Sequence, residues 1–238
     1  MMEKYTFSDL QKIVRTLRGE NGCPWDQVQT HESLERCMIE EAYEAVEGIH
    51  LYAETGDGEN LCEELGDVLL QVIFHSQLAE EEGIFSLDDV VQGICEKMVH
   101  RHPHVFGDDR TRTELPNWDE MKKEEKKGKR DQRSELEAIP RAFPALIRAE
   151  KVQKKLEKGN YCNSESLEKV CQSAESRLKA LEEGSTISAK SVQEEIGELL
   201  YQICGIAGKY GVHPEEALVA VVDAKIGQFR SLQKPEEE

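Results

Sequence analysis

No stretch of this 238-residue sequence stays apolar for the ~20 residues that a membrane-spanning helix needs. Residues 1–18 mix charge with apolar side chains and lack the continuous apolar core of a secretory signal. The seven cysteines, Cys23, Cys37, Cys62, Cys95, Cys162, Cys171 and Cys204, include no C-x-x-C pair. Their number is odd and several fall in apolar helical stretches, so they read as reduced core residues of a cytoplasmic, soluble protein. There is no G-x-x-x-x-G-K-[ST] run, which excludes a P-loop nucleotide hydrolase. Glu47-Gly48-Ile49-His50 is one E-x-x-H motif without a second, whereas a di-iron bundle needs two. Cations are also in short supply. Thirty Lys and Arg face 48 Asp and Glu, for a formal net charge of −18. Such a surface repels nucleic-acid backbones and anionic membranes, so neither is an expected partner.

What remains is helical. Apolar residues are 38% and charged residues 33% of the chain, a balance that suits long helices with one buried stripe. No alternating pattern of useful length suggests a strand, and the predicted class is all-α. Ser8-Asp9-Leu10-Gln11 reads as a capping box ahead of Leu10, Ile13, Val14 and Leu17 at helical spacing. Residues 19–29 read as a loop broken by Asn21-Gly22 and Pro24. Helices are then predicted over 33–52 and 59–82, joined by a turn at Gly56-Asp57-Gly58. A further helix opens at Ser86 and stops near Pro103. Pro116 suits the first turn of a helix running through Trp118 and Met121. After a charge-dense stretch at 122–133, helices are predicted over 145–158, 164–183, 188–210 and 214–232.

One run recurs. Glu63-Glu64-Leu65-Gly66-Asp67-Val68-Leu69-Leu70-Gln71 resembles Glu194-Glu195-Ile196-Gly197-Glu198-Leu199-Leu200-Tyr201-Gln202, and Lys97 corresponds to Lys225 at nearly the same separation. The repeat predicts two related helical modules. The expected organisation is a catalytic module over 1–127, a linker over 128–144 and a degenerate module over 145–238.

The chemistry gathers in the first module. Glu41 and Glu44 stand three apart and share a helix face; Glu64 and Asp67 repeat that spacing on the next helix. A short turn makes the two helices an antiparallel hairpin, on which these carboxylates can converge. Uncompensated, they repel; a hard divalent cation removes the conflict, and oxygen-only ligands suit Mg²⁺ or Mn²⁺ better than zinc. Lys97 and Arg101, four apart near a helix end, suit phosphate, Arg as a bidentate grip and Lys as a point charge. His102 and His104 have no Cys or His partners at zinc spacing and read as helix-end residues. Either of the two tryptophans could stack on a base; Trp25 is expected in the core and Trp118 towards a ligand.

Taken together, these motifs resemble the MazG-type nucleoside triphosphate pyrophosphohydrolases. The resemblance runs through Asn21-Gly22-Cys23-Pro24-Trp25-Asp26, Glu40-Glu41-x-x-Glu44, Glu63-Glu64-Leu65-Gly66-Asp67, Arg101-His102-Pro103-His104-Val105-Phe106, and Ile139-Pro140 to Pro144-Ala145-Leu146-x-Arg148-Ala149-x-Lys151-x-Gln153. It implies cleavage of a nucleoside triphosphate to the monophosphate and pyrophosphate, Mg²⁺, four-helix arrangements in tandem and a homodimer. It also implies metal ligation by Glu41, Glu44, Glu64 and Asp67, with Glu40 beside the site. By the same resemblance Lys97 and Arg101 contact phosphates and Trp118 lies by the base. Glu41 or Glu44 would act as catalytic base; the sequence does not choose between them.

The second half departs from this pattern. Gln172-Ser173-Ala174-Glu175-Ser176 stands where the first Glu cluster is expected, Glu198 replaces the Asp, and Gln228 and Phe229 follow Lys225 where basic residues are expected. This half is therefore expected to bind metal poorly and to be structural. House-cleaning of damaged nucleotides and control of alarmone levels both fit the whole pattern. The rival reading is a helical interaction protein that senses nucleotides without turning them over, and another is a hydrolase of a different phosphorylated substrate.

Overall fold

A close approach between two long helices organises the first half of the chain. The computed structural model describes residues 4–107, 121, 136–159, 167–183 and 189–233. Every regular element among them is a helix. In chain order these are α1 (Phe7–Arg18), α2 (Pro24–Gln27), α3 (Glu35–Thr55), α4 (Glu59–Glu81), α5 (Leu87–Arg101), α6 (Pro103–Phe106), α7 (Ala145–Lys158), α8 (Leu167–Glu183), α9 (Ala189–Lys209) and α10 (Pro214–Gln233). They fall into two compact units, Met1–Gly128 and Lys129–Glu238. No helix among the described residues is long and apolar enough to cross a membrane.

In the first unit α3 and α4 form a hairpin. Gly56 ends α3 at φ 74°, a left-handed conformation that glycine adopts without steric cost, and its N–H reaches the Tyr52 carbonyl. With only residues 56–58 between the helices, the chain must turn back on itself. Gly48 sets how close they come. A Cβ there would lie 3.0 Å from the Leu61 Cα and 3.1 Å from the Asn60 Oδ1. Alanine or anything larger would push α4 away.

The core lies towards the far end of the hairpin. Val14, Leu34, Ile73, Phe74, Leu78 and Leu87 are buried together, with Leu10, Cys37, Leu70 and Val72 packed against them. Helix α1 docks on this end of α4, and α5 packs against the same helix. Arg18 secures the chain leaving α1. Its side chain is only 7% exposed; it pairs with Glu81 at 2.6 Å and lies 5.3 Å from the Phe74 ring centroid. It also donates to the carbonyls of Asp26 at 2.5 Å and Gln29 at 3.3 Å.

Several sequence expectations shift. The capping box of α1 uses Thr6, not Ser8. The Thr6 N–H donates to Asp9 Oδ2 at 3.0 Å and the Asp9 N–H to Thr6 Oγ1 at 3.3 Å. Asp9 is the third helical residue, so the pair fits the reciprocal geometry and Ser8 falls inside the first turn. The stretch 19–29 contains the single turn α2, begun by Pro24 at its first position. Trp25 in that turn is 60% exposed and not in the core. Of the described cysteines, Cys204 is buried, Cys23 and Cys37 are half-buried, and Cys62, Cys95 and Cys171 are exposed. The expected helix at 116–121 lies outside the described residues except for Met121, and the charged stretch 122–133 lies wholly outside them.

In the second unit α9 packs against α7, α8 and α10, and α10 also touches α7. Leu199 and Cys204 of α9 and Ile139 ahead of α7 are buried there. Glu150 is buried as well, held by Lys154 and by His213 at 3.1 Å. Burial works to raise its pKa, but the hydrogen bonds from Lys154 and His213 outweigh it and hold the carboxyl low.

Gly48→Val is expected to lower the unfolding free energy of the first unit by about 1–3 kcal/mol, the usual cost of overpacking. A urea titration at unchanged slope reads this directly. An unchanged midpoint would show that the hairpin does not depend on this approach.

Candidate metal centre

The faces that bury α3 and α4 against each other also carry the acids. Along α3, Cys37, Glu41, Ala45 and Gly48 follow one another at helical spacing, and Ala45 and Gly48 are buried. Along α4, Glu64 and Asp67 continue the line of Gln71, Phe74 and Leu78, all three buried. The apolar stripe of each helix thus runs into carboxylates as it leaves the core.

Glu41, Glu64 and Asp67 meet there. Each offers a carboxylate oxygen, and these oxygens lie within 4.8 Å of one another. All three side chains are half-buried. Burial raises the Glu41 pKa above the ordinary glutamate value, helped by the charges of Asp67 and Glu44, by a hydrogen bond with Glu44 and by the charge of Glu64. Carboxylates this close repel one another, and a cation among them removes the conflict. The donors are all oxygen and the local charge is all negative, which fits a hard divalent cation rather than a soft one.

The remaining site candidates are placed differently. Glu44 is exposed, and its charge adds to the rise at Glu41. Glu40 is exposed and pairs with Arg36 at 2.6 Å, along its own helix. Lys97 and Arg101 lie half-buried on α5, which packs against α4; Arg101 has a partner of its own. The groups that shift Glu41 are burial and carboxylates, with no cation among them. Trp118 lies outside the described residues. His102 closes α5, its Nδ1 2.6 Å from the Met98 carbonyl oxygen, as a helix-end residue should.

Two features were missed in the sequence. Asn60 donates from Nδ2 to Glu64 Oε1 at 2.9 Å and orients that carboxylate; its i, i+4 spacing was a readable signal. His31 and His75 stack with their Nδ1 atoms 2.8 Å apart, and burial together with His31 holds the His75 pKa down. Forty-four positions separate them, and no local pattern announces the contact.

A helical hairpin with converging, half-buried carboxylates gives an all-α protein with a candidate oxygen-ligand cation site. Residues 29–106 match the MazG nucleotide pyrophosphohydrolase domain. Over 228 residues the chain is 36% identical to the nucleoside triphosphate pyrophosphohydrolase/pyrophosphatase MazG of Thermotoga maritima, covering 96% of this chain and 86% of that protein. The Escherichia coli K12 nucleoside triphosphate pyrophosphohydrolase is 34% identical over 232 residues, 94% of this chain and 86% of its own length. The uncharacterized protein YabN of Bacillus subtilis is 40% identical over 238 residues, 98% of this chain; the chain spans about half of that longer protein, 47%. The chain belongs to the MazG family.

The raised Glu41 pKa has a pH consequence. The folded chain holds this proton more tightly than the unfolded chain does. Its stabilisation is therefore full below about pH 4.5, the ordinary value, and is lost as pH rises through the folded value. Without divalent cation, Glu41→Gln is expected to raise the melting temperature of the first unit at neutral pH and to leave it nearly unchanged in acid. Equal effects at both pH values would contradict a strained carboxylate at this position.

Proposed function

We propose that the first unit hydrolyses nucleoside triphosphates between the α and β phosphates, releasing a nucleoside monophosphate and pyrophosphate, in nucleotide-pool house-cleaning. The convergence of Glu41, Glu64 and Asp67 within 4.8 Å carries this reading. Family membership and the pyrophosphohydrolase names of the Thermotoga and Escherichia relatives support it. Mg²⁺ is the cofactor that this donor set favours, with Mn²⁺ able to substitute. Glu41, Glu64 and Asp67 would hold it, with Glu44 alongside. Bound there, Mg²⁺ supplies Lewis-acid stabilisation of the charge that builds on the phosphates.

The chain's own residues do the rest. Water forms a bond to the α-phosphorus, and the bond from that phosphorus to the bridging oxygen breaks, so that pyrophosphate leaves with the electron pair. The water's proton passes to a carboxylate. Glu44 is best suited, because it stands outside the close triad, three residues from Glu41 on the same helix. Lys97 and Arg101 neutralise the leaving pyrophosphate, Arg101 as a bidentate donor. Trp118 stacks on the base, and Glu40 borders the substrate.

The second unit is a degenerate copy that supports the first. The protein acts as a cytoplasmic homodimer. Ile39, Tyr43 and Val46 on α3 and Leu65 and Leu69 on α4 are exposed large apolar residues at helical spacing. A stripe of this kind calls for a covering partner, and a second copy completes a four-helix arrangement.

Pyrophosphate release from a panel of standard and modified nucleoside triphosphates with Mg²⁺ tests the proposal. Wild type is expected to release pyrophosphate and monophosphate. Glu41→Gln is expected to lose about 10²-fold or more, the scale of removing one transition-state charge partner, while Glu195→Gln keeps wild-type rates. Release of orthophosphate alone, or no turnover, would overturn the cleavage assignment and favour nucleotide sensing.

A further inference from the structure

The second unit repeats the acidic helix of the first but sets it against a different neighbour. Glu195 and Glu198 on α9 keep the three-residue spacing of Glu64 and Asp67 within the recurring run. Gln202 falls at the place of Gln71, and in both glutamines the Oε1 is buried without a partner. In the first unit α3 brings the carboxylate of Glu41 to its pair. In the second, α8 brings Arg177. Its Nη1 lies 2.6 Å from Glu195 Oε2 and its Nη2 3.8 Å from Glu198 Oε2. The stretch 172–176 expected at the place of the first Glu cluster contributes differently. Ser173 accepts from Gln202 Nε2 at 2.8 Å, and Arg177, one residue beyond that stretch, faces the acids.

We infer that Arg177 is a built-in replacement for the divalent cation, and that the second unit takes no metal because its carboxylates are already neutralised from within. The charge balance favours this. Three converging acids in the first unit leave a negative centre that a divalent cation can fill. Two acids and one guanidinium leave about one negative charge, and the guanidinium already holds a Glu195 oxygen that a metal would need. Losing Glu41's counterpart and gaining Arg177 act in the same direction: one ligand is removed and one cation is supplied. The Arg177 Nε is buried and makes no hydrogen bond, so Glu195 and Glu198 are what orient this guanidinium. The inference rests on the proposed cation site of the first unit for its comparison, but its test separates the two.

The test is Mn²⁺ binding to the full chain, followed by calorimetry and by the signal of free Mn²⁺ in paramagnetic resonance. Asp67→Asn is expected to weaken binding by about ten-fold or more, and Glu195→Gln to leave it unchanged. Arg177→Glu placed on the Asp67→Asn chain rebuilds a set of three acids in the second unit and is expected to restore a Mn²⁺ site. Arg177→Gln is expected to lower the melting temperature of the second unit, with added Mn²⁺ recovering part of the loss. Loss of Mn²⁺ binding in Glu195→Gln, or an Arg177→Gln chain that melts as wild type does, would overturn the inference. Should wild type bind no Mn²⁺, the cation site of the first unit fails, while gain of a site in Arg177→Glu still upholds the role of Arg177 and absence of that gain overturns it.

Discussion

Like charges repel, and α3 and α4 hold three carboxylates with oxygens inside 4.8 Å of one another on a half-buried face. Everything else about the first unit serves or follows from that arrangement. Gly48 allows the helices to approach, Gly56 turns the chain so that they run antiparallel, and the core of Val14, Ile73, Phe74 and Leu78 anchors the far end. The acids sit where the apolar stripe leaves that core. The strain shows in Glu41, whose pKa is raised by burial and by its neighbours' charges. A divalent cation relieves this strain, and the energy so gained is available for binding.

The two units place a recurring sequence run under two electrostatic settings. A recurring run places paired acids on α4 and again on α9. The opposing helix decides what they become. Glu41 makes them a negative centre; Arg177 makes them an internal ion pair.

Most helices were legible because their signals are local. Apolar spacing marked α3, α4 and α7, the Ser86 box opened α5, and Gly56 and Gly83 ended the helices before them. The pairing of Glu41 with Glu64 and Asp67 was legible too, because a short turn leaves a hairpin little choice of register. What could not be read was tertiary. Arg18 reaches 63 positions along the chain to Glu81, and His31 meets His75 across 44. Trp25 misled because its hydrophobicity suggested burial, while a one-turn helix holds it out. Arg177 carries no local signal either, because its acid partners come from α9. The Thr6 cap was misassigned by two residues, since Thr6 with Asp9 and Ser8 with Gln11 both satisfy the pattern and only the folded chain selects between them.

The most direct measurement is anomalous diffraction from crystals of the full chain soaked in Mn²⁺. The expected result is a peak among the carboxylates of Glu41, Glu64 and Asp67, with Glu44 beside it, and none between Glu195 and Glu198. A peak on the second unit with none on the first would contradict the assignment of the cation site to the α3–α4 hairpin.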